Sequence, residues 1–117
     1  MISLPPTVKI FLATQPADMR KSFDGLKALV EEFLDEDPLS GHLFVFRNRR
    51  GDRLKILYWD RDGLAIWYKR LEAGTFRFPQ AADQCSRVDV TPAELAMLLD
   101  GVDLSSVRRR KRYRRSA

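Results

Sequence analysis

The chain holds one cysteine, Cys85, and one histidine, His42. A lone thiol closes no internal disulfide, so a reducing cytoplasm is the expected compartment. One residue of each type cannot build a Cys/His zinc site. A serine–histidine–acid triad would have to use His42, which follows Gly41 and reads more simply as an exposed turn residue. No apolar run nears the roughly 20 residues of a membrane span. The first twenty residues lack the basic start of a signal peptide. No membrane partner, cofactor or small-molecule substrate is therefore expected, and the chain is expected to be no enzyme.

Acidic residues are missing from the last stretch, 104–117, which carries seven basic ones: Arg108, Arg109, Arg110, Lys111, Arg112, Arg114 and Arg115. The net charge of +5 therefore belongs to the tail. Residues 1–103 hold 14 basic and 16 acidic side chains, a net of −2. A basic tail on a near-neutral body reads as an interaction arm, most often for nucleic acid. The expected organisation is one domain over 1–104 and a basic tail over 105–117 that does not order by itself.

Periodicity outlines the body. Residues 7–13, TVKIFLA, follow two prolines and read as a strand. Met19, Phe23, Leu26, Val30 and Phe33 then recur at helical spacing, with Asp18 as the expected N-cap and Pro38 and Gly41 as the stop. Acidic residues crowd the end of that helix, where its dipole disfavours them. LFVFR (43–47), RLKILYW (53–59), LAIWYKRL (64–71) and FRF (76–78) read as consecutive strands joined by NRRGD, DRDG and EAGT turns. RVDV (87–90) reads as a further short strand. Thr91, Pro92, Glu94 and Gly101 spell a helix with a capping box and a glycine stop. The expected fold is α+β: a mostly antiparallel meander sheet of about five strands. One main helix covers a face, and a short C-terminal helix lies at the edge.

Two metal readings can be weighed. DRDG at 60–63 opens like a calcium loop, but the required ligand positions fall on Leu64 and Leu71, so a hairpin turn is the better account. Scattered aspartates (Asp18, Asp24, Asp60, Asp62, Asp89) could serve two-metal phosphoryl chemistry, though 60 and 62 share a turn and such sites belong to larger domains. No metal or catalytic residue is assigned.

The basic residues offer more. Arg47, Arg49, Arg50, Arg53 and Lys55 cluster in one hairpin, Lys69 and Arg70 lie on the next strand with Arg77 nearby, and Arg20 and Lys21 precede the first helix. Trp59, Trp67 and Tyr68 lie among them and could form an aromatic face. A sheet presenting arginine, lysine and aromatics can hold phosphates and stack bases. Equally, the aromatics could be core and the charges a solvated outer face, and Arg20 and Lys21 could simply pair with Asp18 or Asp24.

DMRKSFDGLKALV (18–30), GHLFVFRNRRGDRLKILYWDRDGLAIWYKRLEAGTFRFP (41–79) and TPAELAMLLDGVDL (91–104) resemble the TnpB accessory protein of bacterial insertion sequences of the IS-sixty-six family. That protein is distinct from the RNA-guided nuclease also called TnpB. The resemblance covers about residues 8–104. It runs through Asp18, Met19, Arg20, Lys21, Phe23, Asp24, Gly25 and Leu26. It continues through Arg50, Gly51, Asp52, Arg53, Lys55, Trp59, Gly63, Tyr68, Lys69, Arg70 and Leu71. Ser22 stands where the family usually has glycine, and the arginine tail is longer than the family pattern. The resemblance implies a non-enzymatic accessory protein of transposition, working beside a separate transposase that carries the strand-transfer chemistry. DNA and the transposase are the expected partners. The alternative is an adaptor that holds the transposase without touching DNA.

Overall fold

The computed structural model describes residues 7–79 and 85–104. Five strands form one sheet: β1 (Ile10–Ala13), β2 (Leu43–Arg47), β3 (Arg53–Asp60), β4 (Gly63–Arg70) and β5 (Arg87–Val90). Their order across the sheet is β4-β3-β2-β1-β5. β1 and β2 run parallel, joined over one face by helix α1 (Phe23–Glu32), and every other pairing is antiparallel. Helix α2 (Pro92–Leu99) follows β5. The fold is α+β, as its residue pattern implies, and the sheet is mostly antiparallel with one parallel pair.

Both faces are covered, which corrects the expectation of one covered face and an edge helix. Leu26, Val30 and Leu34 pack on Phe11, Phe44, Phe46 and Leu57 on the α1 face. Leu95, Leu98 and Leu99 of α2 pack on Ile10, Leu12, Val45, Leu54 and Ile56 on the other. A strand buried on both sides must be apolar at consecutive positions rather than alternating ones. β1 (IFLA) is buried at every position, and β2 (LFVFR) at all but its last. β3 and β4 lie toward the free edge, where alternation survives: Leu54, Ile56, Tyr58 and Trp67 join the α2 face, while Leu57, Leu64 and Ile66 join the α1 face.

Helix α1 is shorter than its apolar stripe suggested. It begins at Phe23 behind Ser22, so Asp18 is no N-cap, and Met19 to Lys21 belong to the approach loop. Phe23 and Phe33 point outward, 45% and 41% exposed, because the buried stripe runs through Leu26, Val30 and Leu34. The helix stops before Pro38. Asp35 turns left-handed (φ 54°), which aspartate tolerates better than most residues, and the Glu36 amide donates back to the Val30 carbonyl at 3.1 Å. Helix α2 follows its sequence grammar: the Thr91 hydroxyl accepts from the Glu94 amide (3.1 Å), and the Glu94 carboxylate accepts from the Thr91 amide (3.0 Å).

Residues 76–78 form no strand, contrary to the sequence expectation. The Phe76 amide donates to the Gly51 carbonyl (2.8 Å) and its ring is buried against the α2-side core. The segment is a covering strap, since the β4 edge where a fourth meander strand would pair is left behind at Arg70.

Candidate nucleic-acid interface

The topology gathers arginines at one end of the sheet. β1 and β2 both end there, at Ala13 and Arg47; β3 starts there at Arg53, β4 ends at Arg70, and β5 starts at Arg87. Four of five strands thus meet this end with arginine. Two loops add more. The 14–22 segment brings Arg20 and Lys21, and the β2–β3 turn brings Arg49 and Arg50.

That turn is held rigidly. Asn48 and Arg53 close it: the Asn48 amide donates to the Arg53 carbonyl (3.1 Å), and the Asn48 Oδ1 accepts from the Arg53 amide (3.0 Å). Asn48 Nδ2 donates to the Asp52 carboxylate (2.7 Å). This bond, with nearby Arg50 and Arg53, holds the Asp52 carboxyl below its usual range. Gly51 is buried at φ +78°, a left-handed geometry that glycine accepts without strain. Arg49 and Arg50 project as an exposed ridge between two clefts. One cleft, about 510 Å³, lies between the ridge, Arg53 and the Asp18–Arg20 loop. The other, about 540 Å³, lies between the ridge, Arg47, the end of β1 and the 75–79 strap.

Lys55 takes no part in this surface. It is 7% exposed, and its ammonium donates to the carbonyls of Met19 (2.8 Å) and Lys21 (2.7 Å) beneath the Tyr68 ring, 4.7 Å away. A buried cation needs such partners to offset its lost hydration. Lys55 instead fastens the 19–21 loop to β3, which is how Arg20 and Lys21 come to sit at the arginine end. Arg20 forks onto Asp18 at 2.7–3.1 Å, and this pairing draws the Asp18 carboxyl down to about 2.

The expected aromatic face is divided. Trp67 packs with the α2-side core, whereas Tyr68 and, by alternation, Trp59 lie on the α1 side. Lys69 faces the α2 side and Arg70 the α1 side, where Glu72 binds Arg70 at 3.0 Å. Arg87 is engaged in the body: it binds the Leu34 carbonyl (2.8 Å) and the Glu36 carboxylate and lies 4.7 Å over the Phe11 ring. Sequence reasoning missed Phe78, and placed Arg77 only near the patch. Arg77 is exposed and both line the second cleft. Their signal was FRFP, a basic residue between aromatics before a proline, misread as a strand. The tail arginines Arg108, Arg109, Arg110, Arg112, Arg114 and Arg115, with Lys111, lie outside the described residues.

His42 is structural: its Nδ1 accepts from the Lys9 amide (3.0 Å) and its ring meets Phe11 edge-on. Asp60 and Asp62 sit in the β3–β4 hairpin turn at the far end of the sheet from Asp18. Among the described residues no helix is long and apolar enough to cross a membrane.

A family model described as IS66 Orf2 like protein matches residues 8–109. The chain belongs to the IS66 Orf2-like family. It is 41% identical over 110 residues to uncharacterized protein y4jC of Sinorhizobium fredii (strain NBRC 101917 / NGR234), covering 94% of this chain and 92% of that protein. It is 39% identical over 103 residues to uncharacterized protein y4hO of the same organism, covering 88% of each. No solved structure matches it. Membership in the IS66 Orf2-like family suggests an accessory protein of transposition. The two stretches that carry the resemblance most densely, DMRK and RGDRLK, touch through Lys55 in the folded protein.

Proposed function

We propose that this IS66 Orf2-like protein serves transposition without catalysing it, by binding DNA or the transposase–DNA complex at the arginine end of its sheet. The observation that carries this reading is the row of arginines at that end. Arg49 and Arg50 stand exposed there, and no carboxylate lies within ion-pair distance of them among the described residues. Arg53 and Arg70 stand directly opposite one another across β3 and β4. Like charges placed so repel; Glu72 offsets Arg70 in part, and a polyanion would relieve the rest. The basic tail adds sequence-independent affinity, and the protein works in the cytoplasm.

Binding of duplex DNA should weaken with salt at a log–log slope near −0.9 per phosphate engaged, or about −5 for five or six contacts. Fluorescence anisotropy across a salt series measures it. A slope near zero, or no binding at low salt, sinks the reading. Deleting residues 105–117 should lower affinity for all sequences alike.

A second reading rests on the α1 side. Phe33 (41% exposed) and Leu39 (46%) lie among Glu31, Glu32, Asp35 and Asp37. Exposed apolar residues in an acidic stretch of chain suit a basic protein surface, as on an adaptor that holds the transposase. Co-purification of the two proteins after nuclease treatment would favour it.

A further inference from the structure

The two sides of the Arg49–Arg50 ridge differ in chemistry, and the difference bears on which form of DNA is held; this step rests on the DNA-binding reading above. The cleft beside the 75–79 strap is lined by the apolar residues Leu12, Ala13, Phe76 and Val88 together with Thr14, Gly51 and Thr75. Phe78 and Pro79 line it as well, as do Arg47, Arg49, Arg50 and Arg77. Its volume, about 540 Å³, falls in the range of small-ligand pockets, roughly 300–1,000 Å³. Duplex DNA is read the other way round, by protein elements that enter a groove about 12 Å wide. A concave site of this size accepts a single base with its phosphate.

Arg47 shows the pocket is prepared for such a guest. It is half-buried and lies 5.3 Å over the Phe78 ring. A guanidinium carries several N–H donors, yet Arg47 has one hydrogen bond among the described residues, to the Thr14 carbonyl at 3.2 Å. Burial alone pulls its pKa down from the ordinary arginine value. Among the described residues no carboxylate lies within ion-pair distance of it. Guanidinium planes and aromatic rings are the surfaces on which unpaired bases stack.

We infer that the cleft between the carboxyl ends of β1 and β2 and the 75–79 strap holds one unpaired nucleotide. Its base lies against Phe78 and Arg47, and its phosphate is held by Arg49, Arg50 or Arg77. The protein then prefers single-stranded DNA, or a frayed end, to a closed duplex.

The test is fluorescence anisotropy of the full chain with a labelled single strand of about 15 nucleotides, and with the same strand in a blunt duplex, at matched salt. The single strand should bind roughly tenfold tighter, the scale of one stacked base. Phe78→Leu keeps an apolar side chain on the core and removes the flat ring; it should bring single-strand affinity down toward that of the duplex and erase most of that preference. Arg77→Ala alters an exposed residue and should weaken single-strand binding several-fold. Circular dichroism confirms that both variants are folded. If duplex binds as well as single strand and neither variant changes the ratio, the pocket assignment is overturned while DNA binding stands. If neither DNA form binds at low salt, the broader reading fails with it. If poly-glutamate displaces the single strand from wild type and Phe78→Leu equally well, the cleft is an acidic-peptide site and the nucleotide assignment is wrong.

Discussion

The two ends of the sheet are made from the same strands and carry opposite charge. At one end Arg47, Arg53 and Arg70 stand with the Arg49–Arg50 turn and the Arg20–Lys21 loop. At the other the β3–β4 turn supplies Asp60 and Asp62, and the α1–β2 connection supplies Asp35 and Asp37, while Glu36 reaches across to Arg87. Antiparallel pairing explains the separation. A hairpin alternates its turns between the two ends, so NRRGD and DRDG, close in sequence, are carried a full strand length apart. A body whose net charge is −2 over residues 1–103 thus becomes strongly dipolar. Net charge reports on solubility, whereas placement decides what is attracted and in which orientation.

Charge reversal at the basic end is the strongest way to break the contrast. Arg49→Glu with Arg50→Glu should lower DNA affinity roughly a hundredfold at low salt and cut the salt slope by about two. Arg61→Glu, in the turn of the acidic end, should change either by less than about twofold. Equal losses from both variants in anisotropy titrations would mean that net charge, not position, governs binding.

Lys55 ties the basic end of the sheet to stability. Lys55→Met fills the space but leaves the Met19 and Lys21 carbonyls without their donor. The expected cost is about 2–3 kcal/mol, the scale of hydrogen bonds to a charged group, read as a shift of the urea midpoint. DNA binding should fall as well, because the loop that presents Arg20 loses its anchor. Unchanged stability would show that solvent replaces the ammonium freely.

Asp18 gives the smallest effect. Its folded-state pKa of about 2 lies below the ordinary 3.8, so the Arg20 pair supports folding above pH 4 and is lost as pH falls through 2. Asp18→Asn should flatten that acid limb in denaturation curves taken between pH 5 and 2. Both partners are exposed, so the change is slight. An unaltered limb would place the acid sensitivity elsewhere, for instance at Asp52.

Much of the fold was legible because it rests on local pattern. The strand at 43–47 follows from its apolar run, the one read at 53–59 from alternation, and the DRDG hairpin and the capping box of α2 from turn and cap chemistry. The errors arose where distant parts of the chain decide. Lys55 looks like surface charge in RLKILYW, and nothing local announces the carbonyls of Met19 and Lys21 that bury it. Phe23 and Phe33 fit a helical stripe, but tertiary packing chose the neighbouring one. FRFP has strand-like residues but serves as a strap because Gly51 captures its amide. Of the proposed basic site the sequence names residues and not their arrangement: Lys55 turns inward, while Arg77 and Phe78 line a cleft from outside the hairpin.

The Lys55 ammonium also bears on kinetics. Because it pins the 19–21 backbone to β3, the loop and the ridge keep one spacing before any partner arrives. Association should then require little loop ordering. Encounter should be rapid, limited by diffusion and by the reach of the arginine field through the surrounding ions, while the lifetime of the complex records how well the fixed surface fits.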